Sequence, residues 1–209
     1  MLGEHLRTSG APYEKRKHLG SRAQEPGPRL PRSAPASTRV KELAVGAKFP
    51  DLELPDHAGH VRTLRELTAG DPVMVQFFRG WFCPKERAFF AKLLDLQDEA
   101  EVAYTRFVSV SVEPPETQAA FRAGLGARWT FLSDQERRYI EALELRETSD
   151  TLYKPYLPTV FTLYPDLKIH ACYNGYWFWG RPTNEELRRD FRAITREIRP
   201  NWDAADEDR

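Results

Sequence analysis

The sequence predicts an α/β fold in which a mixed central sheet is flanked by helices on both faces. Three observations lead to it. Strand-like and helix-like segments alternate through the middle of the chain, two later strand-like segments are separated only by Pro165-Asp166, and a strongly amphipathic segment follows them. Alternating strands and helices favour parallel pairing, whereas a tight turn between two strands makes them antiparallel.

The first elements are predicted from apolar periodicity and turn residues. Short strands are expected at 49–54 and 61–64 around a turn at 57–60, followed by a buried strand at 73–78. Pro84 suits the first position of a helix, where its missing N–H has no partner to lose. The apolar stripe of that helix consists of Phe89, Phe90, Leu93, Leu94 and Leu96.

The later elements complete the sheet and its helical layers. Pro114-Pro115 opens a helix, and Glu185 and Glu186 favour the start of the last one through the helix dipole. The predicted elements are a strand at 104–113, a helix to about 123, a strand at 129–132, a helix at 134–145, strands at 159–164 and 167–173, and a final helix from Thr183 to Ile198.

Composition divides the chain into one domain and two tails. It has 209 residues, 41% of them hydrophobic, and equal numbers of basic and acidic side chains. One globular domain is expected at 41–200, with no general attraction to nucleic acid or membrane. Residues 1–40 hold eight Lys or Arg against three Asp or Glu and are rich in Pro, so a disordered basic extension is expected there. Residues 201–209 are expected to form an acidic tail.

The same composition indicates a compartment. No apolar run approaches the ~18 residues of a membrane span, and the amino terminus lacks the apolar stretch of a secretory signal. Two cysteines in a chain of this length give no disulfide framework, which is typical of a reducing environment. We therefore expect a cytoplasmic protein.

Cys83 is the first candidate for chemistry, because it follows the strand at 73–78 and precedes Pro84. A thiol at a helix start lies near unpaired N–H groups and the positive end of the helix dipole, and both favour the thiolate. Open α/β sheets also keep their sites at the carboxyl ends of strands. The alternative is that Cys83 is a small buried hydrophobe.

Residues 77–84, Phe-Phe-Arg-Gly-Trp-Phe-Cys-Pro, resemble a motif of the peroxiredoxin-like (alkyl hydroperoxide reductase and thiol-specific antioxidant) family of the thioredoxin fold. The order of elements over about 41–200 and the Leu157-Pro158-Thr159 segment resemble it too. The resemblance implies a thioredoxin-like fold with Cys83 as the peroxidatic cysteine and Pro158 as a cis-proline beside it. It also implies a hydroperoxide substrate, a thiol reductant such as thioredoxin or glutathione, and no cofactor; a homodimer is left open.

The chain departs from the family pattern around the cysteine. The pattern has Thr or Ser three residues before the cysteine and an Arg near the start of the penultimate strand, where this chain has Gly80 and Leu157. Glu86 stands where related proteins often carry a second cysteine. Another cation must then stabilise negative charge on a peroxide, and Arg79 is the nearest in sequence. The full set of candidates is Arg79, Arg87 and Arg181.

Of three further groups of residues, the first two leave alternatives open. Cys172, in an apolar strand pattern, is expected to be structural or else a resolving partner of Cys83. The aromatic segment 173–182 is either core and a turn, or a docking face. The histidines show no metal-ligand spacing, so no metal site is expected.

These observations predict a thiol-dependent antioxidant oxidoreductase in which Cys83 reduces hydroperoxides through a sulfenic acid that an external thiol resets. Two other functions remain open. One is a monothiol enzyme that exchanges disulfides or glutathione, which the missing Thr and Arg favour. The other is a non-catalytic thioredoxin-fold binding module.

Overall fold

The computed structural model describes residues 43–174 and 180–201. The predicted extension at 1–40, nearly all of the acidic tail, and positions 175–179 of the aromatic segment lie outside these residues. Within them, no helix combines the length and the hydropathy that crossing a membrane requires.

Five strands form one mixed sheet. Its order is β5 (Thr130–Ser133), β4 (Arg106–Ser111), β3 (Val73–Phe77), β6 (Thr159–Leu163) and β7 (Ile169–Asn174). Strands β3, β4 and β5 are parallel, and β6 is antiparallel to both of its neighbours, so the predicted mixed sheet and the predicted antiparallel β6–β7 pair are confirmed. Strands β1 and β2 form a separate antiparallel hairpin. The elements are β1 Glu53–Pro55, β2 Val61–Thr63, α1 Leu64–Thr68, β3 Val73–Phe77, α2 Pro84–Val102, β4 Arg106–Ser111, α3 Pro115–Leu125, β5 Thr130–Ser133, α4 Arg138–Ala142, β6 Thr159–Leu163, β7 Ile169–Asn174 and α5 Asn184–Ile198.

Helices cover both faces of this sheet, which confirms the predicted architecture. Met74 of β3 packs in one apolar cluster with α2 and α5, whereas Val73, Val75 and Phe77 pack in a second cluster with α1 and α4. All five residues of β3 are therefore buried. A central strand covered on both faces is buried along its whole length, and this one is apolar except for Gln76, which is uncharged.

Local sequence signals explain the ends of the long helices. Pro84 opens α2 with Cys83 as its N-cap. At α5, the hydroxyl of Thr183 accepts from the Glu186 amide at 3.1 Å, and Glu186 Oε2 accepts from the Thr183 amide at 2.7 Å. This reciprocal capping box satisfies two N–H groups that the helix itself cannot pair. Gly126 closes α3 in the left-handed region, with φ of 73°.

Two helices differ from the prediction. The helix expected at 134–145 is only α4, because Asp134 stands ahead of it and its carboxylate accepts from three consecutive main-chain amides of α4. The same carboxylate accepts from the Tyr156 hydroxyl at 2.5 Å. Helix α1 was not predicted, since five residues are too few to show a helical period; Thr63 caps it through the Glu66 amide.

Candidate active site

Cys83 lies between β3 and α2 and is the last residue before the helix. Its backbone is extended, with φ of −84° and ψ of 116°, and its side chain makes no capping hydrogen bond. Its N–H donates to the Gly80 carbonyl at 3.2 Å, and its carbonyl accepts from the Arg87 amide at 3.1 Å. The predicted N-cap position is confirmed. The thiol therefore makes no hydrogen bond to the first turn of the helix. Because Cys83 is only 4% exposed, a substrate must approach a nearly buried sulfur.

A buried ion pair stands beside the first turn of α2. Arg181 Nη2 donates to Glu86 Oε1 at 2.6 Å, and the two side chains are 4% and 1% exposed. Glu86 is the third residue of α2 and follows the N-cap residue Cys83 by three positions. Burial raises the pKa of Glu86, and the Arg181 guanidinium acts against that rise. The pair thus brings a guanidinium from just before α5 to the helix start that carries Cys83.

Sequence reasoning noted Glu86 as the residue at the position of a second cysteine, and it named Arg79 ahead of Arg181 because Arg79 is nearer in sequence. The two residues are 95 positions apart, so no local pattern joins them. The available signal was a Glu in the first turn of a helix, three and four residues before Phe89 and Phe90 of its apolar stripe. A carboxylate buried at such a place requires a cation, and Arg181 was one of the three candidates.

Arg79 is occupied by a different contact. Its Nη2 lies 2.7 Å from Asp150 Oδ2 and 3.5 Å from Glu147 Oε2. Asp150 also accepts from the amides of Leu152 and Tyr153. Two carboxylates already balance the Arg79 charge, and its side chain attaches the segment at 147–153 to the loop before Cys83. Arg79 also acts with Arg181 against the rise in the pKa of Glu86. Its predicted role in stabilising a peroxide remains a prediction.

The turn before Cys83 is tightly packed. Gly80 has φ of 141°, and a Cβ atom there would lie 2.6 Å from Cε1 of Phe82 and 2.9 Å from Oε1 of Glu113. The Trp81 N–H donates to both carboxylate oxygens of Glu113, each at 3.3 Å. Only glycine fits position 80 without displacing these neighbours. The packing around position 80 therefore explains why this chain has glycine where the family pattern has Thr or Ser.

Aromatic side chains surround the same turn. The Phe82 ring stacks on Tyr153, with centroids 4.0 Å apart and planes inclined by 18°. Trp81 is 52% exposed, and Leu152 and Tyr153 are exposed as well. A stacked aromatic pair adds about 0.5–1.5 kcal/mol beyond the burial of its area. Stacking and the Arg79 ion pairs together join segment 147–153 to the Cys83 turn.

The structure corrects the expectation for Pro158. The residue is buried, and extending the β3–β6 register by one places it opposite Phe78, at the sheet end where the Cys83 loop begins. Yet the described residues contain no cis peptide bond, so the predicted cis-proline is wrong. The trans form is the intrinsically favoured state of a bond to proline.

Cys172 lies far from Cys83. It pairs with Phe161 across β6 and β7, so the two side chains share the face opposite α2. Strand β7 is also two strand spacings, about 10 Å, from β3. Both cysteines are free, and a direct bridge would need backbone movement. Although the residue is exposed at the sheet edge, partial burial of its thiol raises the pKa of Cys172 to about 11.

Among residues 43–174 and 180–201, no group of three His, Cys, Asp or Glu side chains is placed to hold a metal ion. The groups described around the start of α2 are one thiol, a buried guanidinium and a carboxylate beside the preceding turn.

Several solved structures share this fold. Peroxidoxin BcpB from Mycobacterium tuberculosis is 24% identical, with a TM-score of 0.62, over 74% of this chain and 97% of that one. AhpC from Enterococcus faecalis is 13% identical, with a TM-score of 0.63, over 76% and 96%. A thiol peroxidase from Chromobacterium violaceum is 13% identical, with a TM-score of 0.63, over 72% and 87%. At these identities the likeness establishes the thioredoxin-like fold.

No curated protein sequence matches the chain. The sequence profile of the AhpC/TSA family, in contrast, matches residues 45–172, which include Cys83, its turn, the five-stranded sheet up to Cys172 and the first four helices. This match spans well over half of the chain. The protein therefore belongs to the AhpC/TSA family.

Proposed function

We propose that the protein is a thiol-dependent peroxidase in which Cys83 is the nucleophile. The Cys83 thiolate attacks the terminal oxygen of a hydroperoxide, and a sulfur–oxygen bond forms while the O–O bond breaks. Sulfur gives up two electrons, the peroxide is reduced, and the leaving alkoxide or hydroxide takes up a proton. The products are a Cys83 sulfenic acid and an alcohol or water.

One observation carries this proposal: Cys83 caps α2 without using its sulfur in the cap. The amides of the first turn and the helix dipole therefore remain available to favour negative charge on the sulfur and on the oxygen it attacks. Family membership supports the same chemistry. Sequence order and burial also point to the turn at 80–83 as one wall of the site.

Arg181 is the cation that we assign to charge stabilisation, in place of Arg79. Glu86 anchors it at the first turn of α2, and both side chains are nearly free of water, so its charge is weakly screened there. Arg79 is turned toward Glu147 and Asp150. In this proposal Arg181 takes the part of the Arg that the family pattern has where this chain has Leu157.

An external thiol completes the cycle in this proposal. A first thiol attacks the sulfenic sulfur, releasing water and forming a mixed disulfide; a second thiol then restores Cys83 and leaves as a disulfide. Cys172 does not serve as the resolving thiol, because it lies on the opposite face of the sheet and its pKa is raised to about 11. Thioredoxin and glutathione are the reductant classes to test.

The experiment compares Cys83→Ser with the matched variant Cys172→Ser in a coupled assay of peroxide-dependent thiol oxidation. We expect Cys83→Ser to lose all turnover and Cys172→Ser to keep it. Turnover that survives in Cys83→Ser, or disappears in Cys172→Ser, contradicts the proposal. A parallel assay with a glutathionylated peptide as oxidant separates a peroxidase from a disulfide-exchange enzyme, because only the latter prefers the peptide.

A further inference from the structure

Glu113 reaches the turn before Cys83 from a different element. It follows β4, and each of its carboxylate oxygens lies 3.3 Å from the Trp81 nitrogen. Trp81 is the second residue of the turn that the Cys83 amide closes on Gly80 at 3.2 Å. The Glu113 carboxylate therefore restrains the middle of the turn whose last residue is Cys83.

The backbone of Glu113 is held from three sides. Its N–H donates to the Ser111 hydroxyl of β4 at 3.2 Å. Its carbonyl accepts from the Ser133 hydroxyl of β5 at 2.7 Å and from the side-chain amide Nε2 of Gln118 in α3 at 3.3 Å. A carboxylate mounted on so many fixed contacts has little freedom to follow the turn if the turn moves.

The contact between the turn and Glu113 requires glycine at position 80. Oxygen Oε1 of Glu113 occupies the space that a side chain at position 80 would need, since a Cβ atom there would lie 2.9 Å away. The resemblance to the peroxiredoxin-like family places a hydroxyl residue at this position. In this chain the carboxylate of Glu113, which follows β4, occupies that space instead.

Within the part of the chain that the structure describes, the groups that face the Glu113 side chain are uncharged. They are the Trp81 amide from the turn and the Ser111 hydroxyl from β4, at 3.5 Å from Oε2; Gln118 of α3 and Ser133 of β5 contact only its main chain. Burial without a cation raises the pKa of Glu113 to about 7, although both hydrogen bonds oppose the shift. The carboxylate therefore gains and loses its proton near neutrality.

We propose that Glu113 is a positioning residue that couples the reactivity of Cys83 to pH through the Trp81 amide. Ionised Glu113 accepts a charge-assisted hydrogen bond and holds the turn in the conformation described. Protonated Glu113 offers only a neutral acceptor, so the restraint on the turn weakens and Cys83 is less often correctly placed. Applied to peroxide reduction, this inference rests on the proposed function; applied to the turn itself, it does not.

The test measures the rate of Cys83 modification in the full chain from about pH 5 to about pH 9, around the expected transition. Two reagents are used, hydrogen peroxide and iodoacetamide. Wild type is compared with Glu113→Gln, which cannot ionise, and with the control Glu116→Gln at an exposed position of α3. The ratio of wild-type to variant rate cancels the pH dependence that the thiol itself contributes to both.

We expect the ratio for Glu113→Gln to rise about fivefold as pH increases through 7, from the difference between a charge-assisted and a neutral hydrogen bond. The ratio for Glu116→Gln should stay flat. A flat ratio for Glu113→Gln with both reagents overturns the inference. A rising ratio with iodoacetamide but no peroxide reaction in any protein contradicts the proposed function and supports the positioning role.

A second measurement needs no variant. Carbon-detected NMR follows the Glu113 carboxyl, and the amide resonance of Trp81 follows the turn, in the wild-type chain. We expect both to titrate with one midpoint near the pKa of about 7. A Glu113 carboxyl that titrates in the ordinary range, or a Trp81 amide that does not respond, overturns the inference.

Discussion

Replacing Arg181 with methionine tests the ion pair beside Cys83. The variant leaves the Glu86 carboxyl in a fully buried position without the guanidinium that lies 2.6 Å from it. Breaking a buried pair in this way costs about 3–5 kcal/mol of unfolding free energy. The cost has an upper limit, however, because Glu86 can take up a proton instead of remaining charged.

The limit depends on pH. Glu86 has an ordinary pKa of 4.5, and each pH unit above it costs about 1.4 kcal/mol for protonation. The loss of stability in Arg181→Met is therefore limited to about 3–4 kcal/mol at pH 7 and to about 1 kcal/mol at pH 5. The sign is that of an acid whose pKa in the folded state is raised: its stability is present below the ordinary pKa and is lost as pH rises.

The assay is urea unfolding at these two pH values, together with the peroxide rate of Cys83. The double variant Glu86→Gln/Arg181→Met removes the charge and should lose the pH dependence. Arg87→Met, at an exposed position of α2, should change stability by less than about 0.5 kcal/mol. Equal losses at both pH values in Arg181→Met, or a double variant as pH-dependent as the single one, would refute the reasoning.

Three further predictions concern the turn before Cys83. Gly80→Thr, which restores the family residue, should destabilise by about 1–3 kcal/mol and slow peroxide reduction, because its Cβ would press on Phe82 and Glu113; a faster reaction contradicts the steric argument. A double-mutant cycle on Phe82→Ala and Tyr153→Ala should give a coupling of about 1 kcal/mol in urea unfolding, and a value near zero would show that the stack adds nothing. Glu113→Gln should gain about 1–2 kcal/mol over wild type between about pH 5 and pH 8, allowing for solvent screening, because the raised Glu113 pKa makes the wild type lose stability as pH rises; a constant difference would contradict this.

The architecture could be predicted because its signals are local. Apolar runs, the Pro165-Asp166 turn and Pro84 after Cys83 each act within a few residues, and the sheet, the antiparallel pair β6–β7 and the start of α2 are confirmed. The start of α4 could not be predicted in the same way. Asp134 is a correct helix-start signal, but its carboxylate reaches amides four to six residues ahead, so the helix itself begins later.

The site was predictable only in part, because its other members come from distant elements. Cys83 follows from its own neighbours, whereas Arg181 reaches Glu86 only through the packing of α5 beside α2. Arg79 was favoured for being close in sequence, yet Asp150, which binds it, is 71 positions away. Glu113 carried no signal, since its importance depends on where β4 ends relative to the turn.

The most direct test of the central claim is mass spectrometry of the full chain after one equivalent of hydrogen peroxide, with a reagent that traps sulfenic acids. The account predicts that the added oxygen is trapped on Cys83 and that Cys172 remains a free thiol. Oxidation that begins at Cys172, or a Cys83 that stays reduced, would contradict it.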